Sequence, residues 1–76
     1  MIETMKKLAA MQAKMLKSSE WVGERFVEES RAMHYGERDS RAIHGQATME
    51  EARQLHEEGV PLAPLPFPVA PPDAIN

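Results

Sequence analysis

All six prolines of this 76-residue chain, Pro61, Pro64, Pro66, Pro68, Pro71 and Pro72, lie beyond Gly59. Proline has no amide hydrogen to give, so this part of the chain can hold neither a helix nor much sheet pairing. Regular structure is confined to the first 59 residues. Residues 60–68 are expected to run extended, near polyproline II. Leu62, Leu65 and Phe67 give that stretch apolar side chains, which predicts a strap lying on the helices. Residues 69–76 have little to bury and are expected to be a disordered tail.

Three helices are predicted ahead of the prolines. In residues 2–17, Ile2, Met5, Leu8, Ala9, Met15 and Leu16 recur near helical spacing, without Gly or Pro. Lys14 and Lys17 close that amphipathic helix, where cations suit the macrodipole. Ser18 or Ser19 then N-caps a second helix over residues 20–35. Its apolar stripe is Val22, Phe26 and Met33, flanked by Trp21 and Val27. Glu24, Glu28, Glu29 and Arg31 cover its outer face, with Glu28 and Arg31 as an i,i+3 ion pair. Gly23 sits inside this helix at a cost of about 1 kcal/mol relative to Ala. Gly36 fits the C′ stop. Thr48-Met49-Glu50-Glu51 has the pattern of a capping box, and opens a third helix from Met49 to about Glu58, with Gly59 as its stop. Ala52, Leu55 and Met49 are expected to face inward. Between the second and third helices, Ala42-Ile43-His44 is either a brief strand or a docking point for Ile43. Its candidate strand partner is residues 62–65.

The fold class is thus mainly α: a small three-helix domain with an extended proline-rich C-terminal strap. It divides into an N-terminal amphipathic helix (1–17), a helical domain with the strap (18–68) and the tail (69–76). A chain this short buries only about 60% of its unfolded surface. Its core candidates are Trp21, Val22, Phe26, Val27, Met33, Tyr35, Ile43, Leu55, Val60, Leu62, Leu65 and Phe67. A partner domain, or weak self-association through the first helix, is expected to supply missing burial.

Charge and composition exclude several function classes. Nine Lys and Arg against twelve Asp and Glu give a net charge of −3. Residues 1–17 carry a net +3 and residues 18–59 a net −5. Mean hydropathy is −0.49, and no run approaches the roughly 20 apolar residues of a membrane span. The chain has no Cys, so it makes no disulfide and no Cys-type zinc site. Without a secretory h-region it reads as cytoplasmic. Lys6, Lys7, Lys14 and Lys17 are too few, and lack interleaved aromatics, for nucleic-acid binding by this chain alone. The first helix has no aromatic anchor for a membrane surface.

Catalytic and metal chemistry also find little footing. His34, His44 and His56 are spaced too widely for a typical metal-ligand pair. Glu28-Glu29, Glu50-Glu51 and Glu57-Glu58 are neighbours on helices, so each pair points about 100° apart rather than at one substrate. There is no phosphate loop, nucleophile elbow or Cys nucleophile. No enzyme activity, catalytic residue, metal or cofactor is expected. The residues with most to contribute to a partner are the aromatics Trp21, Phe26, Tyr35 and Phe67, which are equally the largest core candidates. Pro61–Pro64 and Pro68–Pro71 have PxxP spacing, a groove-binding pattern that competes with packing on the chain's own helices.

The run Glu20-Trp21-Val22-Gly23-Glu24-Arg25-Phe26-Val27-Glu28-Glu29 is followed by Arg31, His34, Tyr35, Gly36 and Glu37. Next come Ala42-Ile43-His44-Gly45-Gln46-Ala47-Thr48-Met49-Glu50-Glu51-Ala52, Glu57-Glu58-Gly59-Val60 and Pro64-Leu65-Pro66-Phe67. In that order, over residues 17–68, the chain resembles the C-terminal half of the uncharacterised bacterial family "domain of unknown function 1178". The resemblance implies an N-terminal zinc-ribbon-like module with paired cysteines, which this Cys-free sequence lacks. It is expected to be either an excised C-terminal piece or a natural short form. No activity comes with the resemblance. It implies an accessory or protein-interaction domain whose partner is another protein or the ribbon module itself. The alternative is part of a regulatory nucleic-acid-binding protein in which the ribbon makes the contact.

Overall fold

A computed structural model describes residues 1–69 of the chain. The first predicted helix is α1 (Ile2–Leu16), with Glu3 in its first turn, Lys14 in its last and Lys17 as C-cap.

Residues 20–23 depart from the helix predicted there: they form a strand, β1 (Glu20–Gly23). Gly23 has φ 56°, in the left-handed region that glycine reaches freely and that no α-helix interior contains. Trp21 and Val22 beside it favour a pleated strand. The Arg25 amide donates to the Val22 carbonyl at 3.0 Å, closing a turn into α2 (Phe26–His34). The apparent Val22–Phe26 stripe therefore spans a strand–helix junction. The serines cap no helix here: the Ser18 hydroxyl donates back to the Met15 carbonyl, and Ser19 bonds His44. At its other end α2 stops as predicted, with Tyr35 as C-cap and Gly36 at φ 77°.

Ile43–Gly45 form β2, which pairs with β1 in parallel, Glu20 opposite Ile43 and Trp21 opposite His44. Parallel neighbours need a crossover of a dozen or more residues, and α2 with its following loop supplies it. The expected contact of 42–45 with 62–65 does not form. No backbone hydrogen bond joins these segments among the described residues. Pro61, Pro64 and Pro66 leave that stretch short of donors, whereas β1 offers an unbroken set.

α3 (Met49–Glu57) opens with the predicted capping box. The Glu51 amide donates to the Thr48 hydroxyl at 3.0 Å, and the Thr48 amide donates to the Glu51 carboxylate at 2.9 Å. Gly59, at φ 85°, turns the chain out of the helix. Leu55 is fully buried in a cluster with Val27 and Val60, against which Phe26 and Leu62 pack. Val22 and Ala32 complete the buried apolar residues among those described. Two expectations fail here: Met49 is 87% exposed at the start of α3, and Tyr35 is 57% exposed beyond the end of α2.

Residues 60–69 contain no helix or strand. Gln12, the one buried residue of α1, spans back to this segment. Its side-chain amide donates to the Phe67 carbonyl at 3.0 Å and accepts from the Phe67 amide at 3.3 Å. The radius of gyration is 13.7 Å, against about 11 Å for a compact chain of this length, because α1 is barely covered. The expectation for 69–76 falls, apart from half-buried Val69, outside the described residues. Three helices are thus as expected, joined by a small parallel sheet that was not.

Gly45 marks the tightest packing. A Cβ there would sit 2.5 Å from the Gly23 carbonyl oxygen and 2.9 Å from the Phe26 Cβ. Gly45→Ala is expected to lower stability by about 2 kcal/mol, the cost of overpacking a rigid site. Urea denaturation measures it, and an unchanged midpoint would contradict the close β1–β2 approach.

Candidate interaction site

Two ion-pair clusters set the frame in which the apolar site forms. Glu29, expected on a solvated face, is 2% exposed. One oxygen, Oε1, accepts from Arg38 Nη1 at 2.7 Å and from Arg41 Nη2 at 3.0 Å. The other, Oε2, lies 2.6 Å from Arg38 Nη1 but accepts no aligned hydrogen bond. Arg41 also donates from Nε to Glu20 on β1 at 3.0 Å. One arginine thus ties α2 to β1 through the crossover loop. The hydrogen bond from Arg41, with the positive charge of Arg38, holds the Glu29 carboxyl below the ordinary value of 4.5, against the opposing effect of burial.

The second cluster joins α2 to the end of α3. Arg31 does not take Glu28 as its partner; it forks onto Glu58, with Nε 3.0 and 3.1 Å and Nη2 2.7 Å from the carboxylate oxygens. Such a fork is the strong, oriented form of the pair. The Tyr35 hydroxyl donates to the same carboxylate at 3.1 Å. The Arg31 hydrogen bonds hold Glu58 below the usual carboxylate range, while the Glu58 contact pushes Tyr35 up. Tyr35 therefore serves this clamp, with His34 edge-on beside it, and lies away from the other predicted aromatics.

Trp21, Phe26 and Phe67 come together. All three are half-buried and line one groove of about 650 Å³. β2 and the residues after it form part of its wall, from Ile43 to Ala47. Met49, Ala52 and His56 of α3 contribute another part, and residues 61–65 and 67–69 the remainder. None of the 18 lining residues among those described is Asp, Glu, Lys or Arg, in a chain that is 28% charged. This volume lies within the range of small-ligand and peptide pockets.

Sequence reasoning missed Ser19 and His44, which are 25 residues apart and meet only because β1 pairs with β2. The Ser19 hydroxyl and His44 Nδ1 are 2.8 Å apart, and the His44 ring stands edge-on to Trp21 at 5.6 Å. A working nucleophile–base pair also needs a group that orients the base and donors for an oxyanion. Among the described residues no carboxylate bonds His44, and no three His, Asp or Glu side chains converge as a metal-ligand set. No helix of the described residues is long and apolar enough to cross a membrane.

α1 presents a second apolar surface. Met1, Leu8, Met11 and Met15 are 101, 49, 66 and 56% exposed. With Thr4 they repeat at alternating intervals of three and four, the spacing of a helix–helix seam.

These features define a small mixed domain: a strand–helix–strand crossover braced by two arginine–carboxylate clusters, with a third helix closing an uncharged groove. The chain belongs to the family described as "Protein of unknown function (DUF1178)", which matches residues 1–70. The match is wider than the resemblance over 17–68 and takes in α1. No curated protein and no solved structure matches the chain.

Glu29 and Glu58 carry a pH signature. Both carboxyls sit lower in the folded chain than the ordinary 4.5. The stability they contribute is therefore present above that value and is lost as pH falls through their folded values. Melting temperature is expected to drop steeply below pH 4.5, and Glu29→Gln is expected to flatten that drop. Equal slopes for the two proteins would count against the Glu29 cluster.

Proposed function

We propose that this domain is a non-catalytic protein-interaction module, the accessory part of a zinc-ribbon-type protein, and that its docking site is the uncharged groove. The observation that carries this reading is the meeting of Trp21, Phe26 and Phe67 along a groove with no charged lining residue among those described. Half-buried aromatics in a desolvated cleft are the residues that dominate binding energy at interfaces. The family membership supports a ribbon-bearing context through the resemblance of residues 17–68. Ser19 and His44 act here as a tie between strands.

Ala63, exposed on the groove wall, offers a mild way to block the site. Affinity capture from native lysate would compare this chain, its Ala63→Glu variant and a ribbon-bearing family member, with mass-spectrometric readout. The expected result is one partner shared by the wild-type chain and the ribbon-bearing protein, depleted at least tenfold by Ala63→Glu. Partners on the ribbon-bearing bait alone would assign the contact to the ribbon and leave this domain a structural companion.

Self-association through α1 is a separate proposal, favoured by the exposed Met1, Leu8, Met11 and Met15. None of the charged residues Glu3, Lys6, Lys7, Lys14 and Lys17 lies on that stripe, so a second α1 could lie along it without burying a charge. Hundredfold dilution is then expected to lower the melting temperature by several degrees. A concentration-independent value would contradict it.

A further inference from the structure

The groove has a polar feature that its side chains hide. In the parallel pairing, the Glu20 amide donates to the Ala42 carbonyl at 3.0 Å and the Gln46 amide donates to the Gly23 carbonyl at 2.9 Å. Residues 42 and 46 thus turn their backbone groups toward β1. Alternation along the strand turns those of Ile43 and Gly45 the other way. Ile43 and Gly45 both line the groove. Outside the β1–β2 ladder, no backbone or side-chain hydrogen bond reaches their amides or carbonyls among the described residues. Two donors and two acceptors on a strand that lines the groove are thus left without a partner among the described residues.

Residues 61–65 border the same groove and do not take this edge. Pro61 and Pro64 have no amide hydrogen to offer it. An occupant that does have one at each residue would satisfy the edge and bury its apolar side chains against Trp21, Phe26, Leu62 and Leu65 in one step. Free, unpaired strand edges are templates for exactly this kind of addition, and proteins that leave one open in a shaped groove use it to bind extended peptides.

We infer that the groove binds an extended, proline-free, uncharged peptide segment that adds to the open edge of β2 as a third strand, its backbone paired with Ile43 and Gly45. The inference rests on the groove being the docking site and specifies what docks there. Charge complementarity supports the class of partner: a lining with no charged residue among those described would leave a buried charge of the ligand unpaired, so selected sequences carry none at the central positions. Side chains of alternating direction along the peptide meet the apolar wall at every second residue.

The test uses the full 76-residue chain and a random 12-residue peptide library displayed on phage. The strongest selected peptide is then synthesised in three forms: unmodified, N-methylated at the odd amides of its core, and N-methylated at the even ones. A strand has one bonded edge and one free edge. One methylated form is expected to bind at least about tenfold more weakly, the loss of one or two net hydrogen bonds, while the other stays within threefold of the parent. In proton–nitrogen correlation spectra the Ile43 and Gly45 amides are expected to shift most, and their hydrogen exchange to slow at least tenfold. Equal binding by both methylated forms, a proline-rich or charged consensus, no selected binder, or the largest shifts on α1 would each overturn strand addition. So would binding that appears only after residues 70–76 are removed, which assigns the edge to the chain's own end. If strand addition fails while lysate capture still depends on Ala63, the docking reading stands and only the peptide class is wrong. If both fail, the groove is not an interface.

Discussion

A buried carboxylate is costly unless its charge is answered, and Glu29 is answered by two arginines from a segment with no regular structure. Arg38 and Arg41 reach it from the loop that follows α2, and Arg41 continues to Glu20 on β1. The pairing therefore does more than neutralise one charge. It fixes the path of the crossover loop, and the loop delivers β2 to the side of β1. Removing the arginines would leave the Glu29 charge buried and unanswered, which is the costly case. With only five buried apolar residues among those described, the domain has little hydrophobic burial to hold this geometry by itself.

The groove follows from the same placement. β2 is held at one side by β1, and it lines the groove together with residues 61–65, of which Pro61 and Pro64 have no amide hydrogen for a further pairing. The chain after Gly59 is apolar enough to stay near the core, as Val60 and Leu62 do, yet unable to complete the sheet. Gln12 of α1 clasps the backbone of Phe67 and so fixes the far end of that segment. An apolar cleft beside strand backbone that has no further partner among the described residues is the outcome of these two constraints.

Local signals in the sequence suffice where no distant partner competes; the Ser18 or Ser19 cap and the Glu28–Arg31 pair give way to longer-range partners. The capping box at Thr48 and Glu51 and the stops at Gly36 and Gly59 depend on residues within four positions of each other, so the pattern is sufficient. Gly23 is ambiguous by itself: the same residue fits a relaxed first turn and a left-handed strand end, and only pairing with β2, some twenty residues on, decides. Glu29 is indistinguishable in sequence from Glu28, because burial is conferred by arginines nine and twelve residues away. Trp21, Phe26 and Phe67 were legible as large apolar side chains that must gather somewhere. Tyr35 does not join them, and its hydroxyl donates to Glu58 instead. The Ser19–His44 contact and the open edge of β2 are products of strand pairing and left no mark in either segment's own pattern.

Glu29 holds the crossover, and with it the sheet. Amide hydrogen exchange of Glu29→Gln against the wild type, at neutral pH, tests this. The Glu20 and Gln46 amides close the two ends of the β1–β2 pairing, and the Glu37 amide, donating to the Ala32 carbonyl at 2.7 Å, closes the end of α2. Glu20 and Gln46 are expected to lose protection together with Glu37 in the variant, while the α3 amides from Ala52 to Glu58 keep theirs relative to global stability. Unchanged protection at Glu20 and Gln46, with losses confined to residues 37–41, would show that the sheet stands without the carboxylate and would contradict this role.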